Sequence, residues 1–535
     1  MKKRVVTAFT SAALLAGLIA GCTAPGDGGK GSSPGGTAPS PDEGSLAKKL
    51  RMVNYSSNFD KMNVNGFAYN LIKQKFNVDI ELLPIPNDVN ARKDAIFLKI
   101  ASGEIPNTWS DLRFPDYNKL VREGAVAEIP EELLQKYAPK YMAWLKKHLG
   151  DDPFKYTRRD GKNYSMPIIW TLGPTQRVLG IRQDWLDKVG ITKKPETLDE
   201  LENALRKFRN DDPDGNGKKD TYGLTGRSDS LEQIFTSVFG AFGVYPGAFY
   251  EENGKIVRGD VQPGAKQALT VLNKWYTEDL LDPEFVLNKS TNVEDKVVSG
   301  KVGMVQDSWW RFLPREAFFS GLLHDKTKEN NPNAKWTLLA GPKGPDGKQG
   351  MTQGNPIISS GVQFGKPLEK NRELMIRYIQ IAEERSFNPQ FYESLVYGEK
   401  GKTYRVTESG DFEYIPPYDK EEERIKFGIG EAYGTSFNDY DMQAPYATKS
   451  NLRQMRKDAE AVAKGKYDIL AAVDMPEYFE VKDRLDQMTL KNYVDFIIGK
   501  RPVGQFDQFV DEWKKAGGAK TMEVAQREYD KTMKK

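Results

Sequence analysis

Apolar and polar residues alternate through Leu50-Arg51-Met52-Val53-Asn54-Tyr55, the two-residue period of a half-buried strand, and the run ends in the polar Ser56-Ser57-Asn58. The pattern then predicts a helix over 66–76, a strand over 78–83 stopped by Pro84 and Pro86, a helix over 90–102 closed by Gly103, and an extended segment over 105–111. A strand-helix-strand-helix-strand opening implies an α/β fold, with helices on both faces of a parallel sheet. Ligands of such sheets bind beyond the carboxyl ends of the strands, where Tyr55, Ser56, Trp109 and Ser110 fall. Downstream, helical periodicity covers 197–208, 231–242, 264–276, 368–384, 483–498 and 506–515. Hairpins are expected at 249–257, turning at Asn253-Gly254, and within 397–417. The chain has no internal repeat.

At 535 residues the chain exceeds one ordinary core, and two α/β lobes facing a cleft account for its length. Lobe crossings are expected at 170–177, 353–360 and 386–392. One lobe then comprises 48–170 plus 358–390, and the other 171–357 plus 391–535.

The first residues change where the protein is expected to reside. A basic Lys2-Lys3-Arg4, an apolar run over 5–20 and Ile19-Ala20-Gly21-Cys22 resemble a bacterial lipoprotein signal, cleaved after residue 21 to leave an acylated Cys22. Cys22 is the only cysteine, so the exported chain has no disulfides and must rely on core burial and, where present, metal. Residues 22–47 are rich in Gly, Ser, Pro and Thr and read as a flexible tether. Loss of Lys2, Lys3 and Arg4 takes the formal charge from +3 to about zero, which removes nucleic acid as a partner class.

Catalytic signals are weak. The two histidines, His148 and His324, sit in no acid, nucleophile or metal motif, and neither a G-x-S-x-G elbow nor a phosphate loop occurs. Carboxylate pairs for a polysaccharide-degrading enzyme remain an alternative at this level, since 75 acidic residues provide chance pairs. Nine Trp and 24 Tyr say more. A sugar ring stacks its C–H face on an aromatic plane, and its hydroxyls need polar partners. Trp109, Trp170 and Tyr55 stand where predicted strands meet the cleft, and Arg177 at the first crossing could grip a sugar carboxylate in a bidentate manner.

A second signal lies in Asp212-Pro213-Asp214-Gly215-Asn216-Gly217-Lys218-Lys219-Asp220. Asp212, Asp214 and Asn216 alternate, Gly217 permits a sharp turn, Lys218 can offer its carbonyl and Asp220 a further carboxylate, the pattern of a calcium loop. Its twelfth position is Gly223 where an EF-hand has a bidentate Glu. The same residues also favour a plain turn.

The ordered motifs "ASGEIPNTW" (101–109), "LVREGAVAEIP" (120–130), "DGKNYSMP" (160–167), "IRQDWLDKVG" (181–190) and "TLDELENALRKFRNDDPDGNGKKDTYGLTG" (197–226) resemble extracellular solute-binding lipoproteins of carbohydrate ABC importers. The last is similar to the calcium-containing branch that includes alginate-binding proteins, although Thr221 stands where those relatives place an acidic ligand. "LNKWYTEDLLDPEF" (272–285), "SGKVGM" (299–304) and "FDQFVDEWKKAGG" (506–518) extend the likeness over the mature chain. The resemblance implies a two-lobed periplasmic-binding-protein-like fold with hinge crossings and no catalysis. It implies a monomer that delivers an oligosaccharide to ABC transporter permease subunits from the outer face of a Gram-positive type cell membrane. It also implies a structural calcium ion. "SGKVGMVQDSWW" (299–310) looks like the family strand that brings an aromatic to the cleft, which points to Trp309 and Trp310. A non-sugar solute on the same scaffold is a further alternative.

Overall fold

The alternating run forms the strand Leu50–Ser56, which pairs in parallel with Val78–Pro84 from Leu50 opposite Val78 to Ser56 opposite Pro84. The computed structural model describes residues 43–318, 321–357 and 359–534. Cys22, the leader and most of the expected tether lie outside the described residues. The helix Phe67–Phe76 connects the two strands and buries Ala68, Tyr69, Ile72 and Phe76, spaced one helical turn apart, in the same core as Leu50, Met52, Val78 and Ile80. The expected third strand is shorter, Thr108–Ser110, and pairs antiparallel with Val362–Phe364. Pro106 cannot donate to a ladder and Asp111 has left-handed backbone (φ +65°), so only three residues are left to pair.

The second core surrounds a four-stranded mixed sheet in the order Trp336–Leu339, Arg177–Arg182, Val302–Ser308, Tyr222–Thr225. The helix Leu198–Asn210 packs Leu201, Ala204, Leu205 and Phe208 into it and begins with a reciprocal capping box between Thr197 and Glu200. The helices Pro263–Thr277, Lys482–Ile497 and Phe506–Trp513 complete this core. Of the helix expected over 231–242 only Thr236–Gly240 is helical, because Phe235 adopts a left-handed conformation (φ +49°).

The segments 170–177 and 353–360, expected as crossings, run side by side. The Trp170 N–H donates to the Pro356 carbonyl (2.6 Å), the Arg177 N–H to the Gln353 side chain (2.7 Å), and a Cβ on Gly173 would lie 2.6 Å from the Asn355 carbonyl. Only glycine allows that backbone approach. The third expected crossing, 386–392, is a helix–helix turn instead. Asn388 caps the helix Pro389–Tyr397, accepting from the N–H groups of Gln390 and Phe391, and Phe391, Leu395, Tyr433 and Phe437 all join the first core. The stretch 391–437 therefore packs with the first lobe, contrary to the expected boundary at 390. The chain joins second-lobe residues only afterwards, through Tyr440, Leu452 and Ala459.

Candidate ligand-binding site

Beyond the carboxyl ends of Leu50–Ser56 and Thr108–Ser110 the first lobe opens into a cavity of about 580 Å³. Its apolar walls include Met52, Ile80, Met166 and Ile381, and Asn54, Ser56, Asn58, Ser110, Thr435 and Asn438 bring amides and hydroxyls. Its aromatic lining includes Tyr55, Trp109, Trp170 and Tyr378. The Tyr378 hydroxyl, whose titration burial pushes up, donates to the Asn54 side chain (3.0 Å) and fixes that amide at the wall. Trp109 is 6% exposed, and its indole N–H is buried without a hydrogen-bond partner among the described residues. A concave site with apolar and aromatic walls and convergent polar groups is the usual form of a small-molecule site, and about 580 Å³ falls within the range of such sites.

Residues 63–358 match the model of the bacterial extracellular solute-binding protein family, more than half of the chain. The chain belongs to that family. Its members bind solutes and are not enzymes, so the polysaccharide-degrading alternative falls. This solute-binding protein is 26% identical to lipoprotein LipO of Bacillus subtilis over 84% of its own chain and 86% of LipO. It is 23% identical to the polygalacturonan/rhamnogalacturonan-binding protein YtcQ of the same organism, over 97% of its own chain and 96% of YtcQ. It shares its fold with the ABC-transporter substrate binding protein FusA of Streptococcus pneumoniae, solved as an EF-hand mutant in complex with fructo-nystose. The TM-score is 0.63 at 18% identity, over 90% of this chain and 99% of that one.

The structure separates the sequence candidates of the solute-binding protein. Tyr55, Trp109 and Trp170 come together at the cavity. Trp309 does not: it is fully buried among Trp310, Phe318 and Val305, and a ring with no exposed face cannot stack on a ligand. Trp310, 6% exposed, meets the edge of Trp170 at a centroid distance of 5.7 Å, and Trp170 also meets Tyr440 at 5.3 Å. Trp310 therefore backs the Trp170 ring and is absent from the cavity lining. Arg177 is engaged elsewhere, with Nη2 on Glu232 (2.9 Å) and Nη1 on the Thr352 carbonyl (3.0 Å). It borders a separate recess of about 100 Å³ with Arg227, Asp307 and Arg311. There burial raises the Asp307 carboxyl, opposed by Arg311, whose Nη1 lies 3.0 Å away. Arg92, Arg385, Tyr378 and Asn438 line the main cavity with no distinguishing sequence signal.

The acidic loop is compact. Asp212 has left-handed backbone (φ +46°), and its carboxylate accepts from the N–H groups of Gly215, Asn216 and Gly217, each at 3.0 Å, which hold its titration low. The Asn216 amide donates to Asp214 (2.7 Å) and Asp220 (3.0 Å), so three loop side chains converge on one point. Burial, together with the neighbouring Asp212 and Asp220, raises Asp214, whereas Lys301 at 2.5 Å keeps Asp220 low. Lys218 donates its N–H to the Asn216 side-chain oxygen (2.7 Å). Thr221 is buried and donates its hydroxyl to the Phe208 carbonyl (2.7 Å), away from the loop side chains. Among the described residues no three His, Cys, Asp or Glu side chains stand ready-made around a metal position. The oxygen donors nevertheless fit a hard cation in place of the bridging amide.

Proposed function

We propose that the protein captures an oligosaccharide in the 580 Å³ cavity and delivers it to the permease of an ABC importer. The observation that carries this reading is the lining itself, in which Tyr55, Trp109 and Trp170 stand beside the amides and hydroxyls of Asn54, Ser56, Ser110 and Asn438. Aromatic planes suit sugar C–H faces, and a cavity already furnished with polar partners suits the hydroxyls. The names of two relatives support a sugar: YtcQ as a polygalacturonan/rhamnogalacturonan-binding protein, and FusA bound to fructo-nystose. Closure would come from hinge bending at the paired crossings near Gly173 and Asn355, with ligand contacts from both lobes favouring the closed form.

Anchorage at the outer face of the membrane through an acylated Cys22 belongs to the same proposal. It is supported by the leader pattern and by the likeness to lipoprotein LipO, and no helix among the described residues is long and apolar enough to cross a membrane. A calcium ion held by Asp212, Asp214, Asn216, Asp220 and the Lys218 carbonyl would cross-link the loop of a chain without disulfides, stabilising the folded state alone. The name of the FusA EF-hand mutant supports that role. The deciding experiment is a tryptophan-fluorescence titration of the purified protein against oligosaccharides and non-sugar solutes, with the mixtures checked for cleavage. Saturable binding of an intact oligosaccharide is expected, and a response to non-sugar solutes alone would overturn the reading.

A further inference from the structure

Several arginines of this protein pair with carboxylates. Arg177 has Glu232, Arg258 has Asp260 and Asp486, and Arg311 has Glu294 and Asp307. The two that line the main cavity differ. Arg385 leaves the helix Arg372–Phe387 with its Nε donating to the carbonyls of Tyr433 (3.1 Å) and Gly434 (3.3 Å), which orients the guanidinium plane. Its two terminal amino groups make no hydrogen bond or ion pair with any described residue. Arg92, on the helix Val89–Ala101, has one long hydrogen bond to the Ser57 hydroxyl (3.4 Å) and no carboxylate partner among the described residues. Among the described residues the only acidic one lining the cavity is the exposed Asp111, whose carboxylate accepts from the Ser110 hydroxyl (2.9 Å). The cavity therefore carries two cations against one solvated anion.

Arg385 is half-buried, and desolvation lowers its titration with no carboxylate among the described residues paired to it to offset the cost. Such a charge is costly unless an anion meets it, and a neutral sugar hydroxyl supplies a hydrogen bond but no charge. A planar carboxylate matches the two parallel donors of a guanidinium whose Nε is already held. We propose that the cavity selects an acidic oligosaccharide, one whose uronic-acid carboxylates are met by Arg385 and Arg92. This rests on the reading of the cavity as the oligosaccharide site. Arg177, engaged with Glu232 and Thr352 in a different recess, takes no part.

The test is calorimetric titration of the full folded chain with galacturonate and mannuronate oligosaccharides, and with neutral malto- and fructo-oligosaccharides of equal length. Wild type, Arg385→Gln and Arg92→Gln are compared, with ligand-free melting curves confirming the fold. Arg92→Gln removes only one long hydrogen bond, so it remains informative if Arg385→Gln folds poorly. A charge-assisted bidentate contact predicts that uronate affinity falls about tenfold or more in Arg385→Gln, falls to a lesser degree in Arg92→Gln, and weakens with salt. Neutral oligosaccharides binding as tightly as uronates would overturn acidic selection while leaving the oligosaccharide reading intact. Uronate binding unchanged in both variants would overturn the assignment to these arginines, and failure of both sugar classes to bind would overturn both readings.

Discussion

Replacing Asp468 by Asn should stabilise the protein at alkaline pH and leave it unchanged in acid. Asp468 lies beside the paired crossings, where its backbone carbonyl accepts from the Asn355 amide (2.5 Å) and its carboxylate accepts from the Leu470 N–H (2.9 Å). Burial, reinforced by Glu232, pushes its titration up from 3.8 to about 6, while Arg258 and the backbone N–H groups pull the other way. Arg258 gives limited relief because Asp260 and Asp486 already hold it. A folded-state value above the unfolded one means that the folded protein holds this proton more tightly. The corresponding stability is full below about pH 4 and is lost as pH rises through about 6. The gap between 3.8 and about 6 corresponds to at most about 3 kcal/mol. Asn keeps an oxygen for the Leu470 N–H and removes the ionising group. Urea midpoints of wild type and Asp468→Asn, measured from pH 4 to pH 8, should coincide at pH 4 and separate progressively in favour of the variant above pH 6. Parallel curves with no separation, or a variant that loses stability most at pH 8, would refute the reasoning.

Other outcomes follow from the same structure. Trp170→Ala should weaken oligosaccharide binding by about 1–2 kcal/mol, or 5–30-fold, with little loss of stability, because the ring is half-buried at the cavity edge. Unchanged affinity by calorimetry would remove Trp170 from the site. Trp309→Ala should instead lower unfolding stability by about 3–5 kcal/mol, since its ring is fully enclosed; an unaltered urea midpoint would contradict that placement. Chelation of divalent ions should lower the melting temperature, with recovery on adding calcium and no response in Asp214→Asn. At a free calcium concentration of 100 times Kd the stabilisation is about 2.7 kcal/mol. A chelation-insensitive wild type would leave the loop a plain turn.

Local pattern served well wherever a short stretch carried its own cause. The alternation at Leu50–Ser56, the Thr197/Glu200 capping box and the Asn253-Gly254 turn, both of whose residues have positive φ, are visible in the sequence and present in the fold. Tyr55, Trp109 and Trp170 reach the cavity lining, a placement legible in the sequence because the open ends of strands border clefts in α/β folds. Adjacent tryptophans offered no such guide, and one-dimensional pattern cannot tell that Trp309 turns inward among Trp310 and Phe318. Asn388-Pro389 reads as a break because proline stops helices, yet it joins two helices buried in one core, a long-range fact. Arg385 hides in the charged Glu383-Glu384-Arg385 run, which looks like a solvated helix face. Its importance arises from what surrounds it: a cavity, two carbonyls on its Nε and no carboxylate paired to it among the described residues.

The most direct test of oligosaccharide capture in the first-lobe cavity is a crystal structure of the protein with its bound sugar. The account predicts sugar rings against Tyr55 and Trp170, hydroxyls paired with Asn54 and Asn438, and Trp309 still enclosed in its cluster. A sugar seated instead on the second lobe, in the apolar groove between Phe312 and Trp336, with the cavity beside Tyr55 filled only by water, would contradict it.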